Sequence, residues 1–435
     1  MSKIDLTEIS RIHFIGIGGI GMSALARFLR NEKKTVQGTD RSPSDITATL
    51  QTEGVTVFSG HSAEHISDGI DLVIYTEAVN PTTEGYVELE AAREKGIPTI
   101  NYFEALGLAV NPYYLIAVAG THGKTTTTAM LTDIFEAAGK DPTAVIGSLR
   151  AKTKSNFRAG KSKYAIVEAC EYKRDFLYLK PDVLVITNLE YEHTDYYKDL
   201  ADVQDAFRSF IEQVNEGGVV VTDIKNPNIV PILKDSPVKV LDYNEFFDVN
   251  LPLKQPGMHN RMNAAAALTV AEHEKLNVGE ATKALSEFAG TWRRFEYKGE
   301  WQGTAVYDDY AHHPTEIKAT LGGLRELYPD RNIVAIAELH TYSRTTSLFD
   351  DFAKVTALAD CFYFLPIYAA REENTSGVSV KELAVKSLEY NPHTSYVPTY
   401  EAMIDTLKQT VNDRDVIVFL GAGNITKLAT ELLSM

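Results

Sequence analysis

The chain has 435 residues, 44% of them hydrophobic and 23% charged, which is the composition of a globular protein too long for a single core, so two to four domains are expected. A formal charge of −16 disfavours general affinity for nucleic acid or an anionic membrane surface, so neither is expected as a partner and anionic ligands must be held by particular residues. The two cysteines, Cys170 and Cys361, suggest neither a disulfide framework nor a thiolate metal site, and no apolar run has the length of a signal-peptide core or a bilayer span, so a cytoplasmic location is expected.

From residue 11 to about 110, short β-branched runs alternate with helical stretches, predicting a parallel sheet covered by helices. Strands are expected at 12–17, 35–38, 55–58, 71–75 and 98–100. The first runs into Gly16-Ile17-Gly18-Gly19-Ile20-Gly21-Met22-Ser23, a glycine turn of the G-x-G-x-x-G type opening a helix. Asp40 closes the next strand, where an acid facing a ribose would stand. Such a turn recognises a diphosphate and not a base, so alone it fits a nicotinamide cofactor or any other nucleotide-linked ligand.

Asn111-Pro112 breaks the pattern, and a fresh strand at 113–118 leads into Gly120-Thr121-His122-Gly123-Lys124-Thr125-Thr126. A strand, a glycine turn and a helix beginning Lys-Thr form a phosphate-binding loop. Backbone amides wrap the phosphates, Lys124 reaches the terminal ones and Thr125 offers its hydroxyl to Mg²⁺. Further strands are expected at 164–167, 183–187, 218–222 and 238–241, then helices at 260–273 and 279–288. Glu168, at the end of the first of these, is placed to meet a metal beside the loop. Past residue 290 a third block begins, with strands expected at 304–307, 333–336, 361–365 and 416–420 and helices at about 314–328, 346–358, 379–390 and 400–411. Three α/β domains are predicted: an N-terminal Rossmann-like domain over 1–111, a central phosphate-loop ATPase-type domain over 112–291 and a C-terminal Rossmann-like domain over 292–435.

Two nucleotide-type turns in separate domains require two ligands, and the ordered motifs resemble the Mur ligase family, the ATP-dependent amide-forming enzymes of peptidoglycan precursor synthesis. The series comprises 16–23, 120–126, Thr187-Asn188-Leu189-Glu190-Tyr191-Glu192-His193 with Asp195-Tyr196-Tyr197, Gly257 to Ala264, Arg293 to Glu296, Asp308 to Glu316 and Pro366 to Glu372 with its Arg371. The resemblance spans nearly the whole chain and points to the alanine-adding branch. It departs from the family pattern at Glu192, at Cys170 where an aspartate is common, and at Thr341 where an arginine is usual. No lysine matches the carbamylated lysine of several other branches.

The resemblance implies ATP, two Mg²⁺ ions with Mn²⁺ able to substitute, UDP-N-acetylmuramate and L-alanine. It implies UDP-sugar contacts at Gly18, Gly19, Ile20, Gly21, Met22, Ser23, Asp40 and His61. ATP is expected at Gly120 to Thr126, with Asn260 and Asn263 at its adenine end and Arg294 and Asp309 reaching it when the third domain closes. Thr125, Glu168 and His193 become metal ligands, and His313 lies near the reaction centre. His340 and Arg344 take the amino acid, the planar guanidinium suiting its carboxylate. Without the resemblance these residues have plainer readings: Glu168 an exposed acid, His193 a solvated loop histidine, Asn260 and Asn263 caps, Arg294 and Asp309 an ion pair. Three other functions remain open at this point: a recycling ligase that attaches a murein tripeptide, a nicotinamide-dependent oxidoreductase, and a non-catalytic nucleotide sensor.

Overall fold

The computed structural model describes residues 4–193, 196–370 and 372–435, so Asp195 and Arg371 of the motif series lie outside the described residues. Two compact units are formed, one of residues 1–192, 199–246 and 264–285, the other of residues 193–198, 247–263 and 286–435.

The first unit holds two sheets. Strands β1 (Arg11–Ile15), β2 (Thr35–Asp40), β3 (Thr56–Ser59), β4 (Leu72–Tyr75) and β5 (Thr99–Asn101) pair in parallel in the order β3-β2-β1-β4-β5. The order reverses at β1, so the glycine turn leaves the strand from which the chain's crossovers diverge to both sides. That crevice at the carboxyl ends is where open α/β sheets bind ligands.

The second sheet repeats the device. Its strands are β6 (Tyr114–Ala119), β7 (Thr143–Val145), β8 (Phe157–Arg158), β9 (Tyr164–Glu168), β10 (Val183–Ile186), β11 (Val219–Thr222) and β12 (Lys239–Asp242), in the order β12-β11-β10-β6-β9-β7-β8. All neighbours are parallel except β7 and β8. Strand β6 lies between β10 and β9, so the phosphate loop opens where Glu168 ends one neighbour and Thr187 follows the other. The strands β6, β9 and β10 are buried almost throughout and read as unbroken Val/Ile/Leu/Ala runs, as parallel strands covered on both faces must.

The second unit carries β13 (Glu296–Trp301), β14 (Thr304–Asp309), β15 (Asn332–Ala337), β16 (Cys361–Phe364), β17 (Thr394–Tyr396) and β18 (Asp415–Leu420), in the order β13-β14-β18-β15-β16-β17 with only β13 antiparallel. Alternation divides each central strand between two cores. Val416, Val418 and Leu420 pack with Ile333, Ala335 and Phe352 on one face, while Ile417 and Phe419 pack with Val334, Ile336 and Met403 on the other. Each fully buried aliphatic side chain contributes about 1.5–3 kcal/mol, so this sheet is a rigid platform for what stands at its edge.

The expected strands are present, with ends moved by one or two residues. Four strands escape periodicity: β7, β8, β13 and β17 are short or lie toward sheet edges, with too few alternations to register. The helix expected over 346–358 is two helices, Tyr342–Ser347 and Phe349–Val355, because Leu348 leaves helical geometry at φ −115° and ψ 23°.

One buried acid in the first unit is poorly accommodated. Asp175 is buried, its Oδ2 has no hydrogen-bond partner among the described residues, and burial with help from Glu77 pushes its carboxyl up to about 7 against the opposing charge of Lys173. An unfolded aspartate titrates near about 4, so the folded chain holds an extra proton between these values and stability falls as pH rises from about 4 to about 7. Asp175→Asn removes this penalty. Its thermal midpoint should exceed that of the parent by a few degrees at pH 8 and by less at pH 5; an equal difference at both pH values would contradict this account.

Candidate active site

The phosphate loop is shaped by two glycines that no other residue could replace cheaply. Gly120 has φ +127° and Gly123, which precedes the helix Lys124–Ala137, has φ +83°; a Cβ on Gly120 would overlap the Thr187 hydroxyl. Neighbouring strand ends lock the loop from behind. The amides of Thr121 and His122 donate to Asn188 O at 3.2 Å and Asn188 Oδ1 at 2.8 Å. Thr187 Oγ1 donates to His122 O at 2.5 Å, and Asn188 Nδ2 donates to the same carbonyl at 3.0 Å. Tyr243 OH donates to Thr187 O at 2.8 Å. The Thr187-Asn188 pair of the motif series thus belongs to the loop's framework, a role its sequence position alone did not assign.

Lys124 is the first residue of that helix, where the aligned peptide dipoles make a cation unfavourable. Its ammonium is held by Gly120 O at 2.5 Å, Thr121 O at 3.1 Å and both oxygens of Glu171 at 2.8 and 3.0 Å. Burial works against its charge, and the nearby Glu171 carboxylate outweighs it, so the pKa lies above the usual lysine value. Glu171 was not singled out in the sequence; its signal is an acid three residues beyond Glu168. Beside this pair, Thr125 Oγ1 donates to Glu168 Oε1 at 3.0 Å, and the other Glu168 oxygen accepts from Gly147 N at 2.9 Å. His122 Nε2 lies 3.6 Å from Glu190 Oε2. Cys170 stands among these groups, its thiol pushed up to about 12 by burial and by the Glu171 charge, which favours the protonated thiol.

The residues present fit a nucleotide phosphate with a divalent cation. A hydroxyl and a carboxylate are paired beside the loop, two positive-φ glycines set its turn, and a largely buried ammonium lies at the start of the helix that follows.

The first glycine turn is built in the same manner. Gly16 has φ +85°, and both Gly16 N and Ile17 N donate to Thr39 O, at 2.8 and 2.9 Å. Gly18 N donates to Asp40 Oδ2 at 2.9 Å, bringing the predicted acid to the turn. Gly18, Ile20 and Gly21 are half-buried and Gly19 exposed. Met22 and Ser23 turn inward, the Ser23 hydroxyl donating to Ile20 O and accepting from Asn156 Nδ2.

Beneath this turn lies a group that sequence reasoning missed. Glu88, fully buried, accepts from His13 Nε2 at 2.9 Å, His65 Nδ1 at 3.1 Å, Thr39 Oγ1 at 2.8 Å and Ser62 N at 3.0 Å, and His61 Nδ1 lies 3.4 Å away. Burial alone favours the neutral acid, but the hydrogen bonds from His13 and His61 reverse this and hold the carboxyl well below the usual range. The hydrogen bond to Glu88 in turn raises the His61 pKa, so the predicted uridine-side histidine is cationic over a wider pH range.

The other predicted residues fall in the second unit. His193 has φ +55°, and its carbonyl accepts from Tyr196 N and Tyr197 N. Asn260 and Asn263 are buried on one face at the start of the helix Met258–His273, with Asn260 Nδ2 donating to Pro256 O at 3.0 Å. Asp309, at the end of β14, accepts from Ala311 N, Phe295 N and Thr320 Oγ1; burial pushes it up to about 6 against the charge of Arg294. The Arg294 guanidinium lies 4.9 Å from the Tyr310 ring centre. His313 caps the helix Pro314–Leu327 with Nδ1 accepting from Thr315 N. Arg344 Nη1 lies 3.1 Å from both Nδ1 and the carbonyl of His340, whose ring stacks on Tyr368 at 5.8 Å. Thr341 has φ +69°, and its hydroxyl accepts from Arg344 N. Glu372 accepts from Ser343 N and Oγ. Tyr368 and Glu372 were legible only as motif members; their place beside His340 and Ser343 is tertiary.

A glycine turn at each of two sheet switch points, one of them a phosphate loop with a lysine and an acid–hydroxyl pair, defines a nucleotide-binding α/β protein. Family models for the Mur ligase family catalytic domain, the Mur ligase middle domain and the Mur ligase glutamate ligase domain match residues 11–114, 118–246 and 293–423, and the chain belongs to the Mur ligase family. It is 39% identical to the UDP-N-acetylmuramate–L-alanine ligase of Agathobacter rectalis, with both chains wholly covered, and 37% identical to that of Aquifex aeolicus over 98% of each. Among solved structures it resembles the UDP-N-acetylmuramate–alanine ligase of Thermotoga maritima, with a TM-score of 0.82, 27% identity and 98% of each chain covered. It also resembles a murein peptide ligase of Psychrobacter arcticus, with a TM-score of 0.71, 25% identity and 98% of each chain covered.

Gly120→Ala places a methyl group against the Thr187 hydroxyl at a backbone angle alanine rarely adopts. The variant should lose nucleotide affinity at least tenfold by titration calorimetry, whereas unchanged affinity would show that the loop does not hold the phosphates.

Proposed function

We propose that the chain is a cytoplasmic, ATP-dependent ligase that joins L-alanine to UDP-N-acetylmuramate in peptidoglycan precursor synthesis. Domains over 1–111, 112–291 and 292–435 carry the sugar nucleotide, ATP and the amino acid. The observation that carries the reading is the Lys124 cluster: a buried ammonium and the Glu168–Thr125 pair stand at one switch point, in a chain whose other glycine turn offers a second diphosphate site. Full-length likeness to alanine ligases supports the choice of substrates.

In this reading the lactyl carboxylate of the sugar nucleotide attacks the terminal phosphorus of ATP. The bond to the bridging oxygen breaks, and ADP leaves from the acyl phosphate. The amine of alanine then attacks the acyl carbon, phosphate departs and the amine loses a proton. A carboxylate approaching a triphosphate crowds negative charge, so the residues act mainly by neutralising and positioning. Lys124 exchanges its contact with Glu171 for the phosphates, and the loop amides hold the β- and γ-oxygens. Thr125 and Glu168 would hold one Mg²⁺ and His193 a second, with Mn²⁺ able to replace either; a bound metal would supply charge neutralisation at the phosphates.

Asp40 and His61 hold the uridine end, with the diphosphate under the helix N-terminus at Gly18 to Ser23. Asn260 and Asn263 take the adenine, Arg294 and Asp309 bind ATP, and His313 lies at the reaction centre. Arg344, oriented by His340, pairs with the alanine carboxylate. Thr341 is neutral and supplies no second cation there, and its hydroxyl accepts from Arg344 N at the start of the helix Tyr342–Ser347.

Phosphate release from Mg²⁺-ATP with UDP-N-acetylmuramate should appear with L-alanine, at least tenfold faster than with glycine, L-serine or the murein tripeptide, and should fall by at least a hundredfold in Lys124→Ala. Preference for the tripeptide would make the enzyme a recycling ligase. Release without any amine would contradict ligation.

A further inference from the structure

Tyr102 opens the helix Tyr102–Val110, which packs between the helix Ile20–Asn31 and the 3₁₀ turn Tyr172–Tyr178. Contact on both sides is close. A Cβ added to Gly21 would lie 2.7 Å from Tyr102 Cζ and 2.8 Å from its hydroxyl oxygen. On the other side, a Cβ on Gly107 would lie 2.6 Å from Tyr178 O, which also accepts from Asn111 Nδ2 at 2.9 Å. The 3₁₀ turn begins directly after Glu171, the partner of Lys124. The phenol therefore rests on Gly21 of the first nucleotide turn, on the helix that abuts the 3₁₀ turn following Glu171.

The electrostatics agree with that position. Burial raises the Tyr102 pKa above the usual tyrosine range, and the charges of Glu168 and Cys170 raise it further, so the group stays a neutral O–H donor. The residue is half-buried. Among the described residues its hydroxyl has no hydrogen-bond partner, and it is not one of the polar atoms sealed from solvent. The hydroxyl is thus an accessible donor that lies against Gly21 of the first glycine turn and close enough to Glu168, beside the phosphate loop, to feel its charge.

We propose that Tyr102 is a substrate-binding residue, its hydroxyl donating to the sugar-acid portion of the nucleotide between the diphosphate on the first glycine turn and the carboxylate presented to the phosphate loop. The inference rests on the ligase reading above. It also gives Gly21 a second task, since the ring needs the space a side chain there would fill. Tyr102 then reads the part of the substrate that distinguishes it from UDP.

Tyr102→Phe keeps the ring and removes the donor. For the full-length protein, the Kd of UDP-N-acetylmuramate should rise about three- to tenfold, the loss of one neutral hydrogen bond. The Kd of UDP, the KM of ATP and the thermal midpoint should stay within twofold, or within a degree for the midpoint. Equal weakening of UDP and UDP-N-acetylmuramate would overturn the proposal, because the hydroxyl would then serve the turn and not the sugar acid. Unchanged affinity for both would overturn it as well. The wild-type protein separates this from the underlying reading: binding of the sugar nucleotide without amine-dependent phosphate release would remove the ligase assignment while the Tyr102 comparison stands.

Discussion

A lysine ammonium at the first residue of a helix is an electrostatic debt, and the first unit is arranged around settling it. Lys124 has little contact with solvent, its side chain being 13% exposed. Two loop carbonyls and Glu171 satisfy it, and the loop that supplies those carbonyls needs positive φ at Gly120 and Gly123. The loop in turn keeps its shape because Thr187 and Asn188, at the end of β10, fasten His122. A phosphate would meet both this ammonium and the positive end of the helix that begins at Lys124, so the position of one cation links fold to the proposed chemistry.

The same construction recurs in each sheet. A strand flanked on both sides by parallel neighbours ends in a glycine turn, and the neighbours' carboxyl ends supply polar side chains. At β1 the turn is Gly16 to Gly19 with Asp40 from β2; at β6 it is the phosphate loop with Glu168 from β9. At β18 it is Gly421 to Gly423, where Arg293 caps the turn's carbonyls and Glu338, following β15, accepts from Ile425 N. In this third turn the anion at the helix N-terminus is the protein's own carboxylate. Three sheets thus obey one topological rule, and the side chain at the mouth decides whether the turn is open to a ligand or closed by the chain itself.

What could be read in the sequence was what is local. Gly16, Gly18 and Gly21, the run from Gly120 to Thr126, and the strands themselves are set by turn chemistry and by neighbours within a few residues. The groups that escaped notice are tertiary pairs: Glu171 on Lys124, Asn156 on Ile20 O and Ser23, Tyr102 on Gly21, and the three histidines around Glu88. Nothing near Glu88 in the sequence announces that His13 and His61 will meet it, because sheet order and not chain order brings β1, β2 and the helix Tyr86–Glu94 together. Strands with too few alternations, such as β8 and β17, escaped for the opposite reason: periodicity needs length.

Lys124, Thr125 and Glu168 stand together as the proposed phosphate-and-cation site. The most direct test is ATP affinity by titration calorimetry as a function of Mg²⁺, in the parent and in Glu168→Gln. Mg²⁺ should tighten ATP binding by about tenfold or more in the parent and by far less in the variant, through loss of a charged ligand. An identical Mg²⁺ dependence in both proteins would contradict it and place the cation elsewhere.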